Sequence, residues 1–133
     1  MNDENKVHLW MGTSHKSEED YQAYFEIDYS TEGDFDSPDY KVCGFCKDIG
    51  EVWYDEDFIG IIDRTKKPVP VADWLTELAI DASEHEKVLA ICVEKGIAKA
   101  NAVFWYQDAS LTLPEPHKND YNELHYIGVF EGD

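Results

Sequence analysis

The sequence predicts an α+β protein: a single-domain sandwich over residues 1–133, with a mostly antiparallel or mixed sheet of about four strands covered by about four helices. Three observations carry this expectation. Runs of β-forming residues at both ends of the chain, "KVHLWMG" early and "NAVFWYQ" and "LHYIGVFEG" late, enclose a middle whose apolar residues recur at helical spacing. A chain of 133 residues is long enough to bury one core without disulfides or a structural metal. Its 43% hydrophobic and 14% aromatic content excludes a disordered acidic chain, despite a formal charge of -18.

In "KVHLWMG", Val7, Leu9 and Met11 alternate with His8 and Trp10, the period of a strand, and Trp10 makes both faces apolar, which places the strand inside the sheet. Ser14 or Ser17 then caps a helix whose first turn carries Glu18, Glu19 and Asp20, the charge sign the helix dipole favours there. Tyr21, Tyr24, Phe25 and Asp28 follow at helical spacing. The stretch "STEGDFDSPDY" is a loop, and Ser37-Pro38 predicts a second helix over residues 38–48 closed by Gly50, because proline fits the first helical position.

"EVWYD" predicts a short strand, "EDFIGIID" a turn and an apolar segment whose type the pattern leaves open, and "RTKKPVPV" a basic loop. Residues 71–78 predict a helix bearing Trp74, Leu75 and Leu78. Ser83 and Glu86 have the spacing of a capping box, opening a helix that buries Val88, Leu89, Cys92 and Val93 and stops near Gly96. The strand "NAVFWYQ", the two-proline loop "LTLPEPHKNDYN" and the terminal strand complete the chain.

Charge is the outlying property. Residues 1–63 carry 17 acids against 4 bases, and residues 18–40 hold nine carboxylates with no Lys, Arg or His. Such a field repels nucleic acid and membrane surfaces and attracts a basic protein with fast, salt-sensitive association. Solubility or a salt-adapted proteome accounts for an acid excess equally simply. No run approaches the roughly 18 to 20 apolar residues of a membrane span, and three cysteines without a leader-like N-terminus suit a reducing, cytoplasmic compartment.

The chemistry-bearing residues are few. A helix from residue 38 puts Cys43 and Cys46 in mid-helix, where they read as small buried apolar residues; a strand over residues 40–42 would revive a thiol-disulfide oxidoreductase. A zinc site needs a second pair of ligands, and Cys92, His8, His15, His85, His117 and His125 are scattered, so no metal and no cofactor is expected. Asp55, Glu56 and Asp57 are consecutive and lack the interleaved geometry of a calcium loop; they read as an exposed acidic turn anchored by Tyr54 and Phe58. Trp10, Trp53, Trp74 and Trp105 read as core, as do Tyr21 and Phe25, whereas Tyr29 and Phe35 suit interface or anchoring equally.

The segments "VHLWMGT", "SEEDYQAYFE", "WYDEDF" and "EKGIAKANAVFWY" resemble the immunity protein 22 family, found beside toxin genes in bacterial polymorphic toxin systems. The resemblance carries over Trp10 and Gly12, the helix of residues 18–25, and Trp53, Tyr54, Asp55 and Phe58; Cys43 and Cys46 lie outside the pattern. It implies a non-catalytic inhibitor of a toxin domain, commonly a nuclease. A nuclease presents a basic cleft to phosphates, so an acidic surface would compete with nucleic acid there. On that reading Asp34, Asp36, Asp39, Asp55, Glu56 and Asp57 meet toxin Lys and Arg residues, with Tyr29 and Phe35 as buried anchors. An acidic adaptor or regulatory domain for another basic protein is the alternative.

Overall fold

In a computed structural model of the protein, residues 6–28, 30, 36–51, 53–108, 111 and 121–132 are described. Six strands are present among them: β1 (Lys6–Gly12), β2 (Ile59–Ile61), β3 (Val69–Pro70), β4 (Lys99–Ala100), β5 (Ala102–Gln107) and β6 (His125–Glu131). The α-helices are α1 (Glu18–Ala23), α2 (Gly44–Ile49), α3 (Val71–Trp74) and α4 (His85–Glu94). The main sheet is antiparallel in the order β2-β5-β1-β6, and β3 pairs with β4 in a separate two-stranded sheet. The fold is the expected α+β sandwich, an open one.

The alternation in β1 decides the layers. Trp10 faces one side together with Phe104, Tyr106 and Tyr126, and α1 and α2 cover that side with Tyr21, Phe45, Cys46 and Ile49. Val7, Leu9 and Met11 face the other side, where Val103, Ile127 and Phe130 meet Val71 and Trp74 of α3 and Val88 and Cys92 of α4. Trp10 stacks on Phe104 at 4.9 Å between ring centroids and meets the Phe45 edge at 5.4 Å. As expected, β1 is interior, between β5 and β6. Opposite it, β6 carries a bulge: Leu9 pairs with Gly128 and Trp10 with Tyr126, leaving Ile127 unopposed.

Several local expectations are corrected. The second helix begins at Gly44, not at residue 38: the Ser37 carbonyl accepts from the Tyr40 N–H and the Ser37 hydroxyl from the Asp39 N–H, so Ser-Pro starts a turn. Its end is as expected, with Gly50 at φ 79 in the left-handed region. "EVWYD" is not a strand in its described residues; the edge strand is β2, from the segment whose type the pattern left open. Ser83 does not cap α4. Asp81 accepts from the Ser83 N–H and opens a 3-10 turn that runs into the helix. Val93 is exposed, because Val88 and Cys92 already occupy the buried stripe of α4.

Candidate functional site

The acidic turn after Trp53 is held from beneath by aromatic residues. Tyr54 is buried, its ring edge-on to Phe45 at 5.0 Å, and its hydroxyl donates to the Phe25 carbonyl. One residue on, the Asp55 N–H donates to the Tyr106 hydroxyl at 2.9 Å. The Asp55 carboxylate then accepts from the Asp57 N–H at 3.0 Å, and its carbonyl accepts from the Phe58 N–H at 3.0 Å. These bonds close a tight turn that leaves Asp55 half-buried and Glu56 and Asp57 exposed.

Two large aromatic residues flank the turn on the surface: Trp53 is 41% exposed and Phe58 49%. Trp53 was expected in the core, and the correction has a local cause. Tyr54 takes the inward position at this point of the chain, and its neighbour is left outside. Phe58 is likewise no buried anchor. Exposed aromatic residues are favoured where protein interfaces concentrate binding energy, and "WYDEDF" places two of them beside acids.

Asp36 and Asp39 are exposed on the turn that precedes Tyr40. Tyr40 packs against the same aromatic cluster that holds Tyr54, so both acidic turns are rooted in one face of the sheet. Tyr29, Asp34 and Phe35 lie outside the described residues.

The cysteine pair is not where the helix prediction put it. Cys43 is the N-cap of α2, its sulfur accepts from the Cys46 N–H at 3.4 Å, and the two sulfurs are 3.2 Å apart. The hydrogen bond shared with the Cys46 thiol, aided by backbone N–H groups, brings Cys43 down to about 7, while the same bond and burial push Cys46 up. Both are buried, as expected, and so is Cys92, which burial raises to about 11. Among the described residues no group of three His, Cys, Asp or Glu is placed to hold a metal ion.

A hollow of about 420 Å³ opens beside β6, lined by Lys6, His8, Glu84, Lys87, Val129 and Phe130 among others. Its ionic groups are spent on each other: Lys6 pairs with Glu131, and Lys87 with Glu84 at 3.0 Å. His8 meets the Tyr126 hydroxyl at 2.7 Å and the Asp108 carbonyl at 3.2 Å. The carbonyl can only accept, so Nε2 carries the proton and Nδ1 accepts from the tyrosine. Burial holds this histidine below its ordinary pKa.

The chain is thus an open α+β sandwich whose structured turns expose acids and aromatics. The family model described as Immunity protein 22 matches residues 7–133, and the chain belongs to that family. An immunity protein is an inhibitor of a toxin. No curated protein and no solved structure matches the chain. No helix among the described residues is long and apolar enough to cross a membrane.

Proposed function

We propose that this chain neutralises its cognate toxin domain in the cytoplasm by laying an acidic and aromatic ledge over a basic surface of that domain, the nucleic-acid cleft of a nuclease being the best fit. The observation that carries the reading is the placement of exposed Trp53 and Phe58 on either side of Asp55, Glu56 and Asp57. Aromatic anchors supply buried area, and carboxylates draw and orient a partner that must itself be basic to hold phosphates. Asp36 and Asp39 extend the ledge, and on sequence grounds Tyr29, Asp34 and Phe35 belong with them. No catalytic residue is assigned.

The test is calorimetry between this protein and the C-terminal domain encoded by the adjacent gene, at two salt concentrations, with that domain's activity measured alongside. Tight, salt-sensitive binding that abolishes activity is expected; absence of binding overturns the reading in favour of an adaptor for another basic protein.

One observation supports a second reading. A thiol brought to about 7 beside a partner sulfur is the geometry of thiol-disulfide exchange. The burial of both sulfurs makes this the weaker of the two, and turnover of a small disulfide substrate would be its signature.

A further inference from the structure

The main sheet has two edges, and the chain treats them differently. At the β6 edge Ile80 bridges to Gly132, the Asp81 N–H donates to the Glu131 carbonyl at 2.9 Å, and the Glu131 N–H donates to the Glu84 carboxylate at 2.9 Å. The C-terminal end of that edge is therefore covered by the protein's own backbone and side chains.

At the β2 edge the register settles which groups face outward. The Gln107 N–H donates to the Phe58 carbonyl at 2.9 Å and the Ile62 N–H to the Val103 carbonyl at 3.3 Å, with Ile59, Gly60 and Ile61 opposite Tyr106, Trp105 and Phe104. Inward and outward backbone groups alternate along an antiparallel strand. Phe58, Gly60 and Ile62 are thus turned to β5, and the N–H and C=O groups of Ile59 and Ile61 point away from the sheet. No described residue bonds to them.

Two outward donors and two outward acceptors in a row are a template for one more strand. The surroundings select which strand. Asp55, Glu56 and Asp57 stand before β2 with exposed Phe58 at its entrance, while Asp63 after it is followed by Arg64, Lys66 and Lys67, so the acidic end is the entrance. A second copy of this chain, itself at a formal charge of -18, is repelled by the whole-molecule field. A segment bearing lysine or arginine meets opposite charge at the entrance of the strand, where Asp55, Glu56 and Asp57 stand together.

We propose that the open edge of β2 is a β-augmentation site for an extended, Lys- or Arg-bearing segment of the toxin domain, which adds a fifth strand to the sheet. This rests on the toxin-binding reading and refines it. Main-chain bonds from Ile59 and Ile61 set the register, the carboxylates at the entrance choose a basic segment, and Phe58 packs on it.

Amide hydrogen exchange by NMR on the unaltered protein, free and with the toxin domain, tests it. The Ile59 and Ile61 amides should slow by about 100-fold or more in the complex, since both become hydrogen-bonded strand donors. Ile61→Pro supplies the second arm. It deletes an outward N–H at an edge position, where proline leaves the β2–β5 ladder intact, and should weaken binding at least ~10-fold. If that variant fails to fold, the exchange data on the unaltered protein still decide. Failure of the unaltered protein to bind overturns the toxin reading and this inference together. Binding with unchanged Ile59 and Ile61 exchange overturns the edge alone, and protection that appears with protein concentration in the absence of toxin assigns the edge to a second copy instead.

Discussion

Replacing Phe58 by Ala separates what this side chain does for the fold from what it does for the partner. Its surface is divided almost evenly, 49% exposed and the rest packed. An aromatic side chain of about 200 Å² leaves roughly 100 Å² on each side of that division. At about 25 cal/mol per Å², and allowing for the carbon that alanine keeps, each half is worth about 2 kcal/mol. Phe58→Ala should therefore lower unfolding stability by about 2 kcal/mol, which leaves a domain of ordinary stability folded. It should also weaken toxin binding by about 30-fold, the same energy read as an equilibrium constant. Urea unfolding followed by circular dichroism gives the first number and calorimetry well below the unfolding transition gives the second. A dissociation constant within twofold of the parent, with the fold intact, would remove Phe58 from the interface and with it the strongest argument for the ledge.

Asp55→Asn, Glu56→Gln and Asp57→Asn together should slow association with the toxin domain and flatten its salt dependence, as stopped-flow mixing at several ionic strengths would show; an unchanged association rate sinks the electrostatic role of this turn. A Cβ on Gly60 would fall within 2.1 to 2.5 Å of the Trp105 indole, so Gly60→Ala should cost about 1–3 kcal/mol in urea unfolding, and a change within error would contradict the packing of β2 on β5. Iodoacetamide at rising pH should label Cys43 first, with a midpoint near 7, and leave Cys92 unreacted until the chain unfolds; equal labelling of all three thiols in native protein would contradict the N-cap geometry. Burial holds the His8 pKa below 6.5 in the fold, whereas an unfolded chain takes up its proton near pH 6.5, so around that pH the unfolded state binds more protons and stability falls as pH drops. A His8→Gln variant should show a shallower loss of stability between pH 7 and 5.5, and a slope identical to the parent's would refute the assignment.

The framework was legible wherever local pattern and tertiary demand agreed. The alternation of β1, the Ser17 cap of α1 with its acidic first turn, the Gly50 end of α2 and the apolar run of β5 each follow from two to seven neighbouring residues. Errors fell where the local signal supports two structures. Ser37-Pro38 suits a helix start and a turn equally, and the packing of Tyr40 on the aromatic cluster selects the turn. In "VWYD" either aromatic residue could have gone inside; Tyr54 does, because its hydroxyl finds the Phe25 carbonyl there.

By itself the sequence determined the fold class, the acid-rich half, the buried condition of the cysteines and the resemblance that a match over residues 7–133 bears out. Those properties are summed over residues or repeat with a short period, so no knowledge of distant contacts is needed to read them. The tertiary structure alone decided that Trp53 and Phe58 stand outside beside the acids, that Cys43 sits at a helix start, and that the β2 edge turns the Ile59 and Ile61 backbone groups outward. Each depends on which partner strand or ring occupies the inward side, and those partners come from positions far away in the chain: Phe25 and Tyr106 for Tyr54, and β5 for β2.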